Sequence, residues 1–303
     1  MTDIPATASR RQADHDRNGR TPEAWKGVAG EGWLRALLIA LAVGISGLFL
    51  VVPLAVIFAQ AFAAGIGGWT SNVVAPDTLH AIGLTILTAI VVVPINIGFG
   101  LAAAWAIAKF TFPGRKLLMT VIELPFSISP IVAGVAYLFV YGAQGLLGPT
   151  LDAAGIQVMF TIPAIFLVSL FVTSPFVARE LVPLMQAQGT DEEEAAITLG
   201  ASGLKTFLRV TLPNVKWALL YGAILCNARV MGEFGAVSVV SGNIRGQTNT
   251  LPLQVELLYN DYNAIGAFAA ASTLTVLALV TILAKLIVER RAEGAIRRRG
   301  GGH

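Results

Sequence analysis

Few residues in this 303-residue chain have types and spacings that do chemistry, and most of those are charges in apolar surroundings. Arg229 and Glu233 stand four apart, which puts them on one helical face together with Cys226. Such a pair either neutralises itself and packs a helix bundle, or borders a path along which the guanidinium attracts an anion and the carboxylate limits how tightly it is held. Gly232 and Gly235 flank Glu233. Each costs about 1 kcal/mol in a helix interior relative to alanine, so a local break is expected there, with amides left free to bond a ligand. Glu123, a short way into another apolar run, is either a gate residue or a snorkelling cap for a neighbour. Catalytic constellations are absent from the pattern. The three histidines (His15, His80 and His303) share no metal-ligand spacing, no HExxH occurs, and no GxxxxGK[ST] phosphate cradle occurs. Neither a catalytic residue nor a metal ligand is therefore expected, and ATP hydrolysis through a P-loop within this chain is excluded.

The elements that must position these charges are apolar helices. Hydrophobic residues make up 55% of the chain and charged residues 13%, with a mean hydropathy of +0.72. A soluble domain of this length carries about a quarter charged residues. Crossing a hydrocarbon core of about 30 Å takes roughly 20 apolar residues in a helix whose backbone bonds are internal. Six segments qualify: 34–62, 80–110, 117–142, 160–178, 215–240 and 264–288. The expected fold class is thus all-α integral membrane with six transmembrane helices. Pro53, Pro94, Pro130, Pro163 and Pro175 lie in or at the ends of these segments and mark kinks. The small-residue run Gly98-Phe99-Gly100 reads as helix packing rather than a dinucleotide fingerprint, since no strand precedes it.

Lysine and arginine are lopsided along the chain. They gather before the first span, between the second and third, between the fourth and fifth, and after the sixth, while loops 63–79 and 143–159 contain none. By the positive-inside rule both termini and the 191–213 stretch face the cytoplasm. This bias accounts for the net charge of +3 and pI near 9.2, so no nucleic-acid partner is expected. The chain divides into a flexible cytoplasmic tail (1–33), a first span with its outer loop (34–79), a core of five spans (80–289) and a basic cytoplasmic tail (290–303). A cleaved signal peptide is not expected, because the first apolar run greatly exceeds a signal h-region. The single cysteine excludes an intramolecular disulfide.

Between the fourth and fifth spans lies a polar island with Asp191, Glu194-Ala195-Ala196, Gly200, and Val210-Thr211-Leu212-Pro213. The spacing EAA-x3-G-x9-[IV]-x-LP resembles the cytoplasmic loop of permease subunits of type I ABC importers, with Val210 where isoleucine is commonest. That resemblance implies two short helices at an angle, the first seated in a cleft of a separate ATPase subunit. Asp191, Glu194, Ala195, Ala196, Gly200, Leu212 and Pro213 are the implied coupling residues. The residue types suit the role. Acidic side chains favour the positive end of a helix dipole, small alanines allow close approach, and Gly200 permits a turn.

Three further runs resemble the W-type subunit of sulfate/thiosulfate permeases. They are Glu123-Leu124-Pro125-Phe126-Ser127-Ile128-Ser129-Pro130-Ile131-Val132-Ala133-Gly134, Gly232-Glu233-Phe234-Gly235, and Leu251-Pro252-Leu253-Gln254-Val255-Glu256-Leu257-Leu258-Tyr259-Asn260-Asp261-Tyr262-Asn263. The resemblance implies translocation of sulfate or thiosulfate across the cytoplasmic membrane with no enzymatic chemistry in this chain. It also implies a T-type permease partner (or a second copy of this chain), an ATPase dimer that binds the ATP and magnesium, and an extracytoplasmic sulfate-binding protein. The outer segment 241–263, the longest connection on that side, with Arg245, Glu256 and Asp261, is where that protein is expected to make contact. Arg229, Glu233 and Glu123 are the expected residues of the path.

Three rival readings remain open at this stage. A molybdate or tungstate permease handles oxyanions of the same charge and shape. A polytopic membrane enzyme would rely on Ser127, Ser129 and Glu123, but no histidine or lysine nearby activates either serine. A passive anion channel leaves the coupling spacing without a purpose.

Overall fold

A computed structural model of the chain describes residues 32–300; the 1–33 tail lies almost wholly outside the described residues. No strand forms among them. Four helices are long and apolar enough to cross a membrane, or six if each of two sharply bent helix pairs counts as one span. The chain falls into two compact units, one ending at Val56 and the other starting at Ile57.

The first unit contains α1 (Gly32–Ser46), a π turn (Gly47–Val51) and the start of α2 (Val52–Ala61). Phe49 and Leu50 are exposed, as lipid-facing side chains are. The π turn precedes Pro53 by two residues. Proline has no N–H to donate and its ring crowds the preceding turn, and the wider i→i+5 spacing accommodates both.

In the second unit a short helix, α3 (Gly65–Val73), leads into the long α4 (Pro76–Lys109). Pro76 and Asp77 sit in its first turn and Lys109 in its last, each matched to the helix end it occupies. Next come α5 (Arg115–Ser127) and α6 (Pro130–Tyr141), bent by 109°. The single span expected over 117–142 is thus two helices. Ile128 (ψ 132°) and Ser129 (ψ 134°) are extended, Ser129 because the α region is disfavoured immediately before Pro130, which opens α6. A short α7 (Gly148–Ala153) leads to α8 (Ile162–Thr173) and α9 (Pro175–Gln188), which together form one span of 27 residues.

That fourth span does not stop near Ala178. It runs ten residues further because Leu181, Val182 and Met185 continue a buried face past the first charges, Arg179 and Glu180. The polar island forms α10 (Asp191–Thr198) and α11 (Gly203–Thr206). From α11 a second π turn (Phe207–Thr211) runs into α12 (Leu212–Met231), and α13 (Gly235–Ser241) follows after a 53° bend. The second π turn again stands two residues before a proline, Pro213. An outer helix, α14 (Leu251–Asn260), precedes α15 (Ala264–Gly300), whose apolar part ends at Leu283.

The core has two centres. One joins Val92, Ala104 and Ile107 of α4 to Val177, Leu181 and Met185 of α9 and Val215 and Cys226 of α12. The other joins Leu84, Ile165, Val168, Val237, Val240 and Leu253. Close approach depends on glycine at two places. A Cβ on Gly100 would lie 2.6 Å from Val177 Cβ, and one on Gly134 would lie 2.8 Å from the Ala236 carbonyl oxygen. Gly100 therefore packs helices as its sequence setting suggests, whereas Gly98 faces open space. A polar seam crosses the apolar core, where Asn96 Nδ2 donates to Thr173 Oγ1 at 2.7 Å and approaches Cys226 Sγ at 3.7 Å. Such bonds hold helices together where lipid provides no hydrophobic drive between them.

Candidate functional site: a pinned loop and two charge pairs

In the polar island, Gly189 (φ 66°) ends α9 and Thr190 opens α10. Four acids occupy the first turn of α10, where the helix dipole favours negative charge. The helix closes at Gly200, whose φ of +86° is the left-handed geometry of a Schellman ending. Its N–H donates to Ile197 O at 2.9 Å and that of Ala201 to Ala196 O at 3.0 Å.

The helix has an anchored side and a free side. On the anchored side, Lys109 Nζ at the end of α4 stands 2.9 Å from Glu193 Oε1 and also donates to the Gly189 carbonyl. Thr211 Oγ1 donates to the same Glu193 oxygen at 3.1 Å, and Asn214 Nδ2 donates to Glu192. The Lys109 and Glu193 side chains are only 6% and 16% exposed. Burial alone would raise the Glu193 carboxyl pKa. The Lys109 hydrogen bond, a backbone hydrogen bond, the Lys109 charge and the Thr211 hydroxyl outweigh it and hold the carboxyl below its ordinary value. On the free side Asp191, Glu194, Ala195 and Leu199 are exposed, with Leu199 at 89%. Glu194 accepts a bond from Thr190 Oγ1 at 2.7 Å. Ala196 and Leu212 are half-buried and Pro213 is exposed.

The island is not two separate helices set before the fifth span. Its second helix is continuous with that span from Gly203 to Met231, because the π turn absorbs Pro213 without a break.

Glu233 lies at the bend between α12 and α13. Its side chain is 1% exposed, its Oε2 is 2.5 Å from Arg229 Nη1, and its Oε1 accepts the Ala236 N–H at 3.0 Å. The carboxylate therefore serves two neighbours. It compensates the guanidinium and caps the first turn of α13. Cys226, on the same helical face by sequence, is buried in the polar seam. Glu123 is elsewhere, exposed on α5, where it lines a cleft of about 190 Å³ with Met119, Pro175, Arg179 and Pro183. The structure thus brings Arg229 and Glu233 together and leaves Glu123 apart from both.

Sequence reasoning missed Lys109, Glu193 and Arg179. The signal for Lys109 was available, as a cation in the last turn of a span whose following turn carries no acid to meet it. Among the described residues no three His, Cys, Asp or Glu side chains are grouped so that they could hold a metal ion.

Residues 96–293 match the family described as binding-protein-dependent transport system inner membrane component. The chain belongs to that family. It is 52% identical to the sulfate transport system permease protein CysW of Escherichia coli K12, over 88% of this chain and 91% of that one. To the sulfate transport system permease protein CysT of Salmonella typhimurium it is 33% identical, over 78% of this chain and 85% of the relative. Among solved structures it resembles a bacterial alginate ABC transporter in complex with an alginate pentasaccharide-bound periplasmic protein. The TM-score is 0.73 at 18% identity, over 89% of this chain and 98% of that one. At that identity the likeness concerns the fold. It is the fold of a multi-pass membrane permease, with transport rather than catalysis as the family's work.

Proposed function

We propose that this chain is the W-type permease subunit of an ATP-driven importer of sulfate or thiosulfate. The observation that carries the reading is the 52% identity to a sulfate permease over nearly nine-tenths of the chain, set against 33% to a T-type relative. The two relatives also support a T-type permease as the partner across the path. A separate ATPase dimer binds ATP and magnesium, and the exposed side of α10 with Asp191, Glu194 and Ala195 docks in it, flanked by half-buried Ala196 and by Gly200 at the helix ending. Leu212 and Pro213 begin the helix that carries the motion onward. Both termini face the cytoplasm, and a sulfate-binding protein meets the opposite side. The folded segment 241–263, closed by the Arg245–Asp261 ion pair and exposing Tyr259 and Tyr262, supports that contact. Arg229 and Glu233 shape the path from the bend.

The test is labelled-sulfate uptake by transport-deficient cells expressing the complete system with and without this chain, under excess thiosulfate or molybdate. Uptake that requires the chain and is suppressed more by thiosulfate than by molybdate supports the reading. Suppression chiefly by molybdate moves the substrate to the larger oxyanions. Glu194→Lys and Gly200→Pro should insert normally yet lose uptake, and normal uptake with the ATPase bound removes the docking role.

A further inference from the structure

Of the arginines in the apolar helices, Arg229 has its charge already compensated by Glu233 at 2.5 Å. Arg179 does not. It lies nine residues before Gln188, inside the span Ile162–Gln188, and it is exposed. Its guanidinium carbon stands 5.0 Å from the centroid of the Phe126 ring. Among the described residues no acid lies within ion-pair distance of it. Glu123, on the facing α5, borders the same cleft of about 190 Å³ and is likewise exposed and unpaired.

The two charges line one cleft at similar distances from their helix ends. Glu123 is eight residues from Arg115, and Arg179 nine from Gln188, so at 1.5 Å per residue they lie roughly 12 and 14 Å from helix ends on the coupling-loop side. The rest of the lining is apolar or proline, including Ile107, Met119, Pro175 and Val182.

A guanidinium with no acid beside it on a membrane-crossing helix stays charged by facing water, lipid headgroups or a ligand. Arginine presents a planar fork of donors that matches two oxygens of an oxyanion, and here Phe126 supports the plane of the fork. We propose that Arg179 is the residue that contacts the oxyanion on the coupling-loop side of the path, with Glu123 as its release partner. While the cleft is open the guanidinium holds the dianion. When α5 and α9 draw together, Glu123 takes the guanidinium and the dianion is expelled by competition and by like-charge repulsion. This rests on the oxyanion reading above.

The experiment uses the whole complex with Arg179→Cys. Cys226, the sole native cysteine, is buried, and the wild-type complex treated identically serves as the blank. Loss of a charged hydrogen-bonding partner should reduce uptake roughly ten- to a hundredfold with the complex still assembled. A cationic methanethiosulfonate should restore uptake, a neutral one should not, and excess sulfate should slow the modification. Unchanged uptake by Arg179→Cys, or equal restoration by both reagents, overturns the proposal. Should Arg179→Cys fail to assemble, Arg179→Lys and Arg179→Gln carry the same contrast. Uptake kept by lysine alone supports the role, and equal uptake overturns it. A wild-type complex that carries molybdate but not sulfate removes the sulfate reading, and Arg179 is then judged on molybdate. A wild type carrying sulfate while Arg179→Cys matches it removes only this inference, and a wild type carrying no oxyanion removes both.

Discussion

Replacing Lys109 with methionine should release the loop without unfolding the helices. The side chain keeps its length and apolar stem, but Glu193 loses the ammonium at 2.9 Å and the Gly189 carbonyl loses its donor. Removing one partner of a fully buried pair costs about 3–5 kcal/mol. Here Glu193 retains the Thr211 bond at 3.1 Å and is partly wet, so about 2 kcal/mol, near the value of one charged hydrogen bond, is the better figure. That corresponds to about a 30-fold larger open population of the loop. Hydrogen exchange of the amides in α10, measured on the purified complex, should quicken by that factor while amides of α4 and α9 exchange as before. Glu193→Gln should do much the same, and the double variant should cost less than the two single effects added, because neither charge is then left alone. Unchanged exchange in Lys109→Met, or fully additive effects, would refute the pinning argument.

The sign of the pH effect follows from the same pair. Glu193 has a carboxyl held below its ordinary value, so its stabilisation of the loop is present above about pH 4.3 and fades as pH falls through the lowered value, and the protection of α10 amides, taken relative to their intrinsic exchange rate at each pH, should fall only in that acidic window. Gly200→Ala meets open space but must hold a φ of +86°, costing about 1–2 kcal/mol, so coupling measured as sulfate carried per ATP should fall modestly. Gly200→Pro, whose ring fixes φ near −65°, should abolish it. Gly100→Ala drives a methyl to 2.6 Å from Val177 and should lower the thermal stability of the complex by about 1–3 kcal/mol, while Gly98→Ala should be silent. Arg229→Gln leaves the Glu233 carboxylate buried with only the Ala236 amide. A loss of about 2–4 kcal/mol in thermal stability is expected, largely recovered when Glu233→Gln is added.

The sequence makes the spans visible because lipid demands long apolar runs and internally bonded backbone, and composition records both. Their interruptions were harder to read. Gly232 and Gly235 announce the bend at α13, but Pro94 and Pro130 look alike as letters. Pro94 stays inside a helix, while the residues before Pro130 turn the chain by 109°. Beyond the bend α6 packs closely on α13, where Gly134 approaches the Ala236 backbone, a contact that no local pattern reports. The extent of the fourth span was hidden because Arg179 and Glu180 look like its end, whereas burial of Leu181 and Met185 carries the helix to Gln188. Lys109 and Glu193 stand 84 positions apart, and no local pattern reports a pairing made only when α4 and α9 lie side by side.

The same contacts suggest how a push on the loop would travel. Were α10 and α11 joined to the fifth span by a flexible turn at Pro213, displacement at α10 would dissipate there. The helix is instead continuous from Gly203 to Met231, roughly 43 Å at 1.5 Å per residue, so no break at Pro213 interrupts it. Lys109 and Thr211 tie Glu193 to the start of α12 and the end of α4, so both helices are held at the loop. The first break along the Gly203–Met231 helix is the bend at Gly232, and there Glu233 bonds to Arg229 behind it and Ala236 ahead of it. A carboxylate that closes both sides of a bend resists opening it. If α10 receives the push of an ATPase as proposed, that push should be expressed as a swing of α12 about the bend, with α9, packed along α12 and carrying Arg179, shifting with it.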